Sequence, residues 1–355
     1  MPSTILPPVR HHVPPTRTKE NLDYADLAVI DLSKAHTPEG RALLAIELCD
    51  AIAAQGFFYA INHGYTQAQN DRMFDIANVP FSLADEEKRL YTGNVKESGT
   101  YQGFKPRQLW HIDGGVHDQV EHYNINRDVT KRQHPKAMRP FLPEIEAFAQ
   151  FNHYSVVHTI LRLLALGLGL PEDTLVDQHN FSAAGESSVR FMNYYPRTGD
   201  EETKTNNVWL KGHTDIGSIT VLWSQPIAGL QILSPDGKWR WIKHIDNALV
   251  INAGDALELL SGGAYKATIH RVVQPPPDQC ACPRLGVFYF AMPDDGVCLV
   301  PHARSSVGGG ERVGAPTMEA WRKGRTAAYG LVPLRRRADG VEEETVEGVV
   351  VRHYN

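Results

Sequence analysis

The chain is predicted to fold as a β-sandwich or barrel with a helical region packed on it. Three features of its 355 residues carry that prediction. From about residue 187 onward the sequence breaks into short apolar or alternating runs: VRFMNYY, SITVLW, LQIL, WRWIK, ALVINA, YKATIHRVV and LGVFYFAM. Turn residues such as Pro235-Asp236-Gly237 and Gly262-Gly263 separate them, the spacing of a sandwich or barrel. The residues before 187 have a helical texture instead. Two runs inside that front part, LAVIDLS and FFYAIN, read as strands able to complete the rear sheet. Length alone favours two domains, but strands shared between front and rear favour one mixed domain.

Taken in order, residues 1–20 hold five prolines and little periodic apolar pattern, and are expected to form a flexible, extended arm. Residues 38–55 are rich in Ala, Leu and Glu, start with a proline suited to a first helical turn, and are followed by Gly56; they predict a helix. FFYAIN (57–62) reads as a buried strand. Residues 66–79 and 83–90 read as helices split by Pro80, and 91–135 as irregular chain. A long helix is expected over 141–168, ending near Gly167 and Gly169 before Pro171. The resulting division is an arm (1–20), one domain over 21–334 and a polar, solvated tail over 335–355. Within the domain, 21–186 is the α/β portion, 187–300 the β core and 301–334 a helical segment.

Composition narrows the function. With 36 Lys+Arg against 41 Asp+Glu the net charge is −5, so no basic nucleic-acid surface is expected. No run of 18 apolar residues exists to cross a membrane, and the first 20 residues lack the apolar stretch of a signal peptide. Cys49, Cys280, Cys282 and Cys298 make neither a disulfide scaffold nor a C-x-x-C site. They read as thiols in a reducing cytoplasm.

Chemistry therefore rests on other residues. In WLKGHTD, His213 and Asp215 stand two apart, so they share a face of a strand or converge just past its end. His270 follows 55 residues after Asp215, in a run whose alternation groups it with Lys266, Thr268 and Val272. Two imidazoles and one carboxylate with positions left open form the facial triad of non-heme Fe(II) oxygenases. An H-x-D alone arises by chance in many chains, so a second feature matters. The run from Arg284 to Phe290 alternates, placing Arg284, Gly286 and Phe288 on one face and Leu285, Val287 and Tyr289 on the other. An arginine facing an apolar interior demands a partner, either an internal acid or a bound carboxylate. VRFMNYYP supplies Asn193 and Tyr195 on one face with Phe191, within reach of the same pocket, while Tyr194 is expected to point away.

These motifs, together with VIDLS, GFFYAINHG, FSLADEEK, GLQIL with DGKW, INAGDALELLSGG and FYFAMPDD, resemble the isopenicillin N synthase-like family of 2-oxoglutarate- and Fe(II)-dependent dioxygenases. The resemblance runs over most of residues 25–330. It implies a double-stranded β-helix (jelly-roll, cupin-like) core with an N-terminal helical region packed on it. It also implies Fe(II), O2 and 2-oxoglutarate as cofactors, with ascorbate as a stimulant, and His213, Asp215 and His270 as iron ligands and catalytic centre. Arg284 then matches the family's anchor for the distal carboxylate of 2-oxoglutarate, with Tyr195 and Asn193 near that co-substrate. One departure stands out: the family's R-x-S is Arg284-Leu285-Gly286 here. The lost hydroxyl implies weakened or re-aimed co-substrate binding, and a serine restored at 286 is expected to tighten it modestly.

The implied activity is oxidation of a small molecule of secondary metabolism, by hydroxylation, desaturation or ring closure, with release of succinate and CO2. The expected state is a monomer or weak homodimer. Substrate contacts are sought at Tyr101, Phe104, Trp110, His122, Tyr123 and Asn124, at Lys211 and Trp223 flanking the metal strand, and at Phe288 and Phe290. Two alternatives remain: an Fe(II)/O2 oxidase of the same family that does not use 2-oxoglutarate, and a non-catalytic ligand-binding protein on the same fold.

Overall fold

A computed structural model describes residues 6–302, 314–328, 335–336, 342–346 and 349–353. Strand β1 (Val29–Asp31) pairs in parallel with β2 (Phe57–Ile61), and α1 (Pro38–Gln55) joins them. Thr37 caps the first turn of α1 through Gly40 N–H, and Leu44, Ala45, Leu48, Ala51 and Ile52 form its buried stripe. Gly56 ends it in the left-handed region at φ 65°, where a Cβ would also collide with Thr268 and the Lys266 carbonyl. Helices α2 (Gln67–Ala77) and α3 (Asp85–Leu90) are separated by a 3-10 turn at Pro80–Ser82, as the proline predicts.

The stretch expected to be irregular is more structured than its sequence suggests. It holds α4 (Val95–Ser98), β3 (Gly103–Lys105), β4 (His111–Asp113), β5 (Val116–His117) and β6 (Val120–Asn126). Every residue of β6 is buried although Glu, His and Asn occupy most of it. The expected helix over 141–168 is α5 (Leu142–Gln150) and α6 (His158–Gly167), joined by a π-helical stretch at Phe151–Val157.

The rear half supplies β7 (Ser188–Tyr194), α7 (Gly199–Lys204), β8 (Val208–His213), β9 (Ile219–Trp223), β10 (Leu230–Leu233), β11 (Trp239–Trp241) and β12 (Leu249–Ala253). Then come α8 (Asp255–Leu260), β13 (His270–Val273), β14 (Arg284–Ala291) and α9 (Met318–Ala328). One sheet runs β1-β2-β12-β9-β14-β7-β6-β3 and a smaller one β11-β10-β13-β8. Together they form the jelly-roll core, and the front strands do complete the larger sheet. That sheet is buried on both sides. Its outer face packs on the helices through Phe58, Val189, Phe191, Trp223, Ile251 and Val287. Its inner face meets the small sheet through Phe57, Met192, Tyr194, Leu222, Val250 and Phe288.

Three expectations need correction. Strand β13 begins only at His270, so Lys266 and Thr268 precede it rather than sharing its face. The arm is extended but fastened: His12 N–H and His11 bond Asp75, Thr18 and Lys19 bond Asp278, and Gln279 donates to Thr16 O. The tail is not simply solvated, because β15 (Arg335–Arg336), β16 (Glu342–Val346) and β17 (Val349–His353) pair as a sheet and Val346 is buried beside Met318 and Trp321. Of the segment 301–334, residues 303–313 and 329–334 lie outside the described residues.

Candidate active site

His213 closes β8 and His270 opens β13, and the two face each other directly across that antiparallel pair. Their ring centroids are 4.4 Å apart. Asp215 follows in the loop after β8, its Oδ1 3.9 Å from His213 Nε2 and 3.8 Å from His270 Nε2. One ligand atom from each residue lies within 4.8 Å of the others. The neighbours orient this set. His213 Nδ1 lies 2.8 Å from Lys211 O and His270 Nδ1 3.1 Å from Thr268 O. A carbonyl only accepts, so each Nδ1 carries the proton and each Nε2 presents its lone pair to the centre. Asp215 Oδ2 accepts from Thr220 Oγ1 at 2.6 Å and from Asn252 Nδ2 at 2.8 Å, leaving Oδ1 turned to the histidines. Burial pushes this carboxyl up, but the fields of His270 and His213 and its two hydrogen bonds outweigh that and hold it below the ordinary range. Two imidazoles with Nε2 turned inward and an ionised carboxylate, fixed from behind and open in front, fit a divalent iron.

Arg284 lines the same cavity. It is only 4 % exposed, its Nε reaches Ile227 O at 3.4 Å, and its guanidinium lies 5.6 Å from the centre of the Tyr194 ring. Burial lowers its pKa, opposed by Tyr194, and among the described residues no acid forms an ion pair with it. Gly229 makes room for its stem, since a Cβ there would stand 3.1 Å from Arg284 Cδ. A buried guanidinium with no acid paired to it among the described residues, at the wall of a metal-type cavity, fits a carboxylate ligand.

The reading of β7 is inverted. Arg284 pairs in register with Tyr194, and Arg190, Met192 and Tyr194 line the cavity. Asn193 and Tyr195 do not. Tyr195 donates to Glu121 Oε2 at 2.8 Å, in a cluster with Lys88 on the other side of the sheet, and Asn193 supports the Tyr195 hydroxyl. Both faces of this strand are buried, so its alternation carries no sign of which side looks inward; only pairing with Arg284 decides it.

Other expected contacts divide similarly. Tyr101, Trp110 and Asn124 line a cavity shared with His213 and Asp215, and Phe288 and Phe290 line the cavity that holds the whole triad. Phe104, Tyr123 and Trp223 belong to the helix-facing core instead; Tyr123 OH meets His134 Nδ1 at 2.7 Å, and Trp223 donates to Asn152. Their alternation is right for strands, but each falls on the outer face. His122 is buried against the rings of Tyr101 and Trp110, and Lys211 acts on the site through its carbonyl. Arg190, Met192, Tyr194, Thr220 and Asn252 were not anticipated. Thr220 and Asn252 sit in strands that read as apolar, and a polar residue inside such a run was the available signal.

The chain is similar to known proteins in sequence and in fold. The model of the 2OG-Fe(II) oxygenase superfamily matches residues 186–293, and that of the non-haem dioxygenase in morphine synthesis N-terminal region matches 27–144. Protein DOWNY MILDEW RESISTANCE 6 of Arabidopsis thaliana is 30 % identical over 289 residues, covering 80 % of this chain and 79 % of the relative. Scopoletin 8-hydroxylase of the same plant is 29 % identical over 277 residues, 77 % of this chain and 72 % of the relative. Among solved structures, a full-length Neurospora crassa protein in complex with alpha-KG superposes with a TM-score of 0.75 at 22 % identity, over 88 % of this chain and all of that one. A 2OG-Fe(II) oxygenase family protein from Caulobacter crescentus gives 0.73 at 23 % identity, over 85 % of this chain and 98 % of that one.

Proposed function

The chain belongs to the 2OG-Fe(II) oxygenase superfamily, and from that premise we propose that His213, Asp215 and His270 hold its iron while Arg284, with Tyr194 beside it, receives the distal carboxylate of 2-oxoglutarate. The protein is an Fe(II)- and 2-oxoglutarate-dependent dioxygenase of a small organic molecule. The observation that carries the assignment of roles is the meeting, in one cavity, of a complete triad and a buried arginine that has no acidic partner among the described residues. Iron with 2-oxoglutarate supplies the oxidative decarboxylation to succinate and CO2 and the oxidation of a substrate C–H bond. The chain's own part is placement. Thr220 and Asn252 fix the carboxylate, the carbonyls of Lys211 and Thr268 fix the imidazole tautomers, and Phe57 packs edge-on against His270 with centroids 5.4 Å apart.

Succinate formation strictly dependent on added 2-oxoglutarate tests the assignment, and turnover without it refutes it. Gly286 is the one feature favouring an Fe(II)/O2 oxidase, and retention of Arg284 speaks against that reading. Aerobic incubation with a metabolite panel, read by mass spectrometry, distinguishes gain of an oxygen from loss of two hydrogens. We also take residues 21–334 as one oxygenase domain, monomeric or weakly dimeric. Among the described residues no helix is long and apolar enough to cross a membrane. The four free cysteines support a place in the reducing cytoplasm.

A further inference from the structure

Among the described residues the Arg284 side chain makes one hydrogen bond, from Nε to Ile227 O at 3.4 Å. Gly229 leaves the room that its stem needs. Where the guanidinium stands therefore depends on where residues 226–229 stand. That turn lies between β9 and β10, outside both strands. The sheet holds its Gly229 end, through Val273 N–H to Gly229 O at 2.9 Å. Gln225 braces it from within: Oε1 accepts from Ile227 N–H at 2.9 Å, and Nε2 donates to Ile227 O at 3.1 Å. The carbonyl that meets Arg284 thus uses both of its lone pairs.

A second glutamine braces the turn from outside. Gln279 sits in the proline-rich connection between β13 and β14 and is only 2 % exposed. Its Oε1 accepts from Ala228 N–H at 2.9 Å, while Nε2 donates to Pro226 O at 3.0 Å and to Thr16 O at 2.7 Å. An N–H only donates and a carbonyl only accepts, so these partners fix which end of the amide is oxygen. The backbone around Gln279 is itself held, by Gln279 N–H to Pro276 O at 2.8 Å and Cys282 N–H to Gln279 O at 2.9 Å. Asp278 beside it accepts from Thr18 Oγ1 at 2.7 Å and Lys19 N–H at 2.8 Å. One buried amide therefore ties together the arm, the 226–228 turn and the chain that leads into β14 at Arg284.

We propose that Gln279 is a positioning residue for the co-substrate anchor: by clamping Pro226 and Ala228, on either side of Ile227, it sets the Ile227 carbonyl and through it the Arg284 guanidinium for the distal carboxylate of 2-oxoglutarate. This rests on the reading of Arg284 as that anchor. A guanidinium fork meets a carboxylate bidentately only in a narrow geometry, so a small displacement of its support weakens the contact. A residue that merely stabilised the fold would affect every ligand alike. One that sets Arg284 affects the distal carboxylate and leaves the metal end of the co-substrate alone.

The test uses the full chain, loaded anaerobically with Fe(II) and titrated with 2-oxoglutarate or with 2-oxopentanoate, which carries a methyl group in place of the distal carboxylate. Both offer iron the same 2-oxo acid end, so the ratio of their affinities isolates the anchor. Affinities are read from the visible charge-transfer band and by calorimetry, with thermal melting alongside. The unsubstituted chain should favour 2-oxoglutarate about tenfold or more, and Arg284→Ala should abolish the preference. Gln279→Met, similar in length without the hydrogen bonds, should cut the preference about threefold to fivefold and leave 2-oxopentanoate within about twofold. Gln279→Glu, which turns an oxygen toward the two carbonyls, should cut it further; where that variant does not fold, Gln279→Met carries the test. In the Arg284→Ala background Gln279→Met should leave the ratio unchanged. A preference that survives Gln279→Met, a parallel loss of both acids, or a change of the same size without Arg284 each overturns the proposal. If the unsubstituted chain shows no preference, or Arg284→Ala keeps it, the reading of Arg284 falls and this one with it. A preference that needs Arg284 but not Gln279 overturns this one alone.

Discussion

Restoring the family's serine at position 286 should weaken 2-oxoglutarate binding, contrary to what the sequence alone suggests. A hydroxyl near Arg284 would contribute about 0.5–1.5 kcal/mol through one more hydrogen bond. The structure shows what stands in its way. A Cβ on Gly286 would lie 2.6 Å from Phe288 Cε2 and 3.0 Å from its Cζ, where carbon atoms normally sit about 3.5–4.0 Å apart. The Phe288 ring must therefore retreat by about 1 Å. It is stacked on Phe290 at 5.7 Å and lines the cavity shared by the triad and Arg284. Retreat in that direction takes volume from the co-substrate. Overpacking of this kind costs about 1–3 kcal/mol, at mid-range about 1 kcal/mol more than the hydroxyl's gain. Gly286→Ser should weaken 2-oxoglutarate binding roughly fivefold, a net loss near 1 kcal/mol, and lower the melting temperature. In the F288A background the same serine should tighten binding, because the ring that opposed it is gone. Anaerobic titration of the Fe(II) protein, followed by the visible band, reads all four combinations of the cycle. Tighter binding in Gly286→Ser alone, with an unchanged melting temperature, would refute the argument.

Three further outcomes follow from the same geometry. Arg284→Ala should raise the 2-oxoglutarate requirement about tenfold to hundredfold, the loss of a charged hydrogen-bonded contact, while metal binding measured by calorimetry stays intact; an unchanged requirement refutes the anchor. Tyr194→Phe should weaken 2-oxoglutarate binding several-fold, about 0.5–1.5 kcal/mol for one hydrogen bond. Tyr195→Phe should instead lower stability by about 1 kcal/mol through the lost Glu121 bond and leave that affinity alone; the reverse pattern would restore the inverted reading of β7. Burial lowers His179 to about 4 and His153 to about 3, from 6.5. The folded chain keeps both neutral where the unfolded chain protonates them, so their contribution is complete above pH 6.5 and falls as pH drops toward the folded values. The loss approaches about 1.4 kcal/mol per pH unit for each; urea midpoints that do not fall between pH 7 and pH 5 would contradict it.

What the sequence disclosed and what it withheld divide along a physical line. His213, Asp215 and His270 were legible because metal chemistry restricts residue type and because β8 closes at His213, just before Asp215, and β13 opens at His270. The helix over 38–55 was legible because one of its faces is buried and its caps are local: Thr37, Pro38 and Gly56 act within a turn of where they occur. The larger sheet offers no such contrast. Helices cover one face and the small sheet the other, so Phe191 and Met192, adjacent on β7, are both buried although they point oppositely. Alternation then fixes which residues travel together and says nothing of which set looks inward. That missing sign is long-range information, carried by Arg284 opposite Tyr194 across ninety residues of chain. The same reasoning explains β6, whose Glu121, His122, Asn124 and Asn126 mimic a loop. Glu121 is matched by Lys88 and Tyr195, Asn124 by Arg190 and Asn126 by Glu186. A strand most of whose polar residues are matched by partners far away in sequence cannot announce itself locally. In this fold those strands are also the ones that face the site, because a cavity that must grip polar ligands has to be built from polar residues.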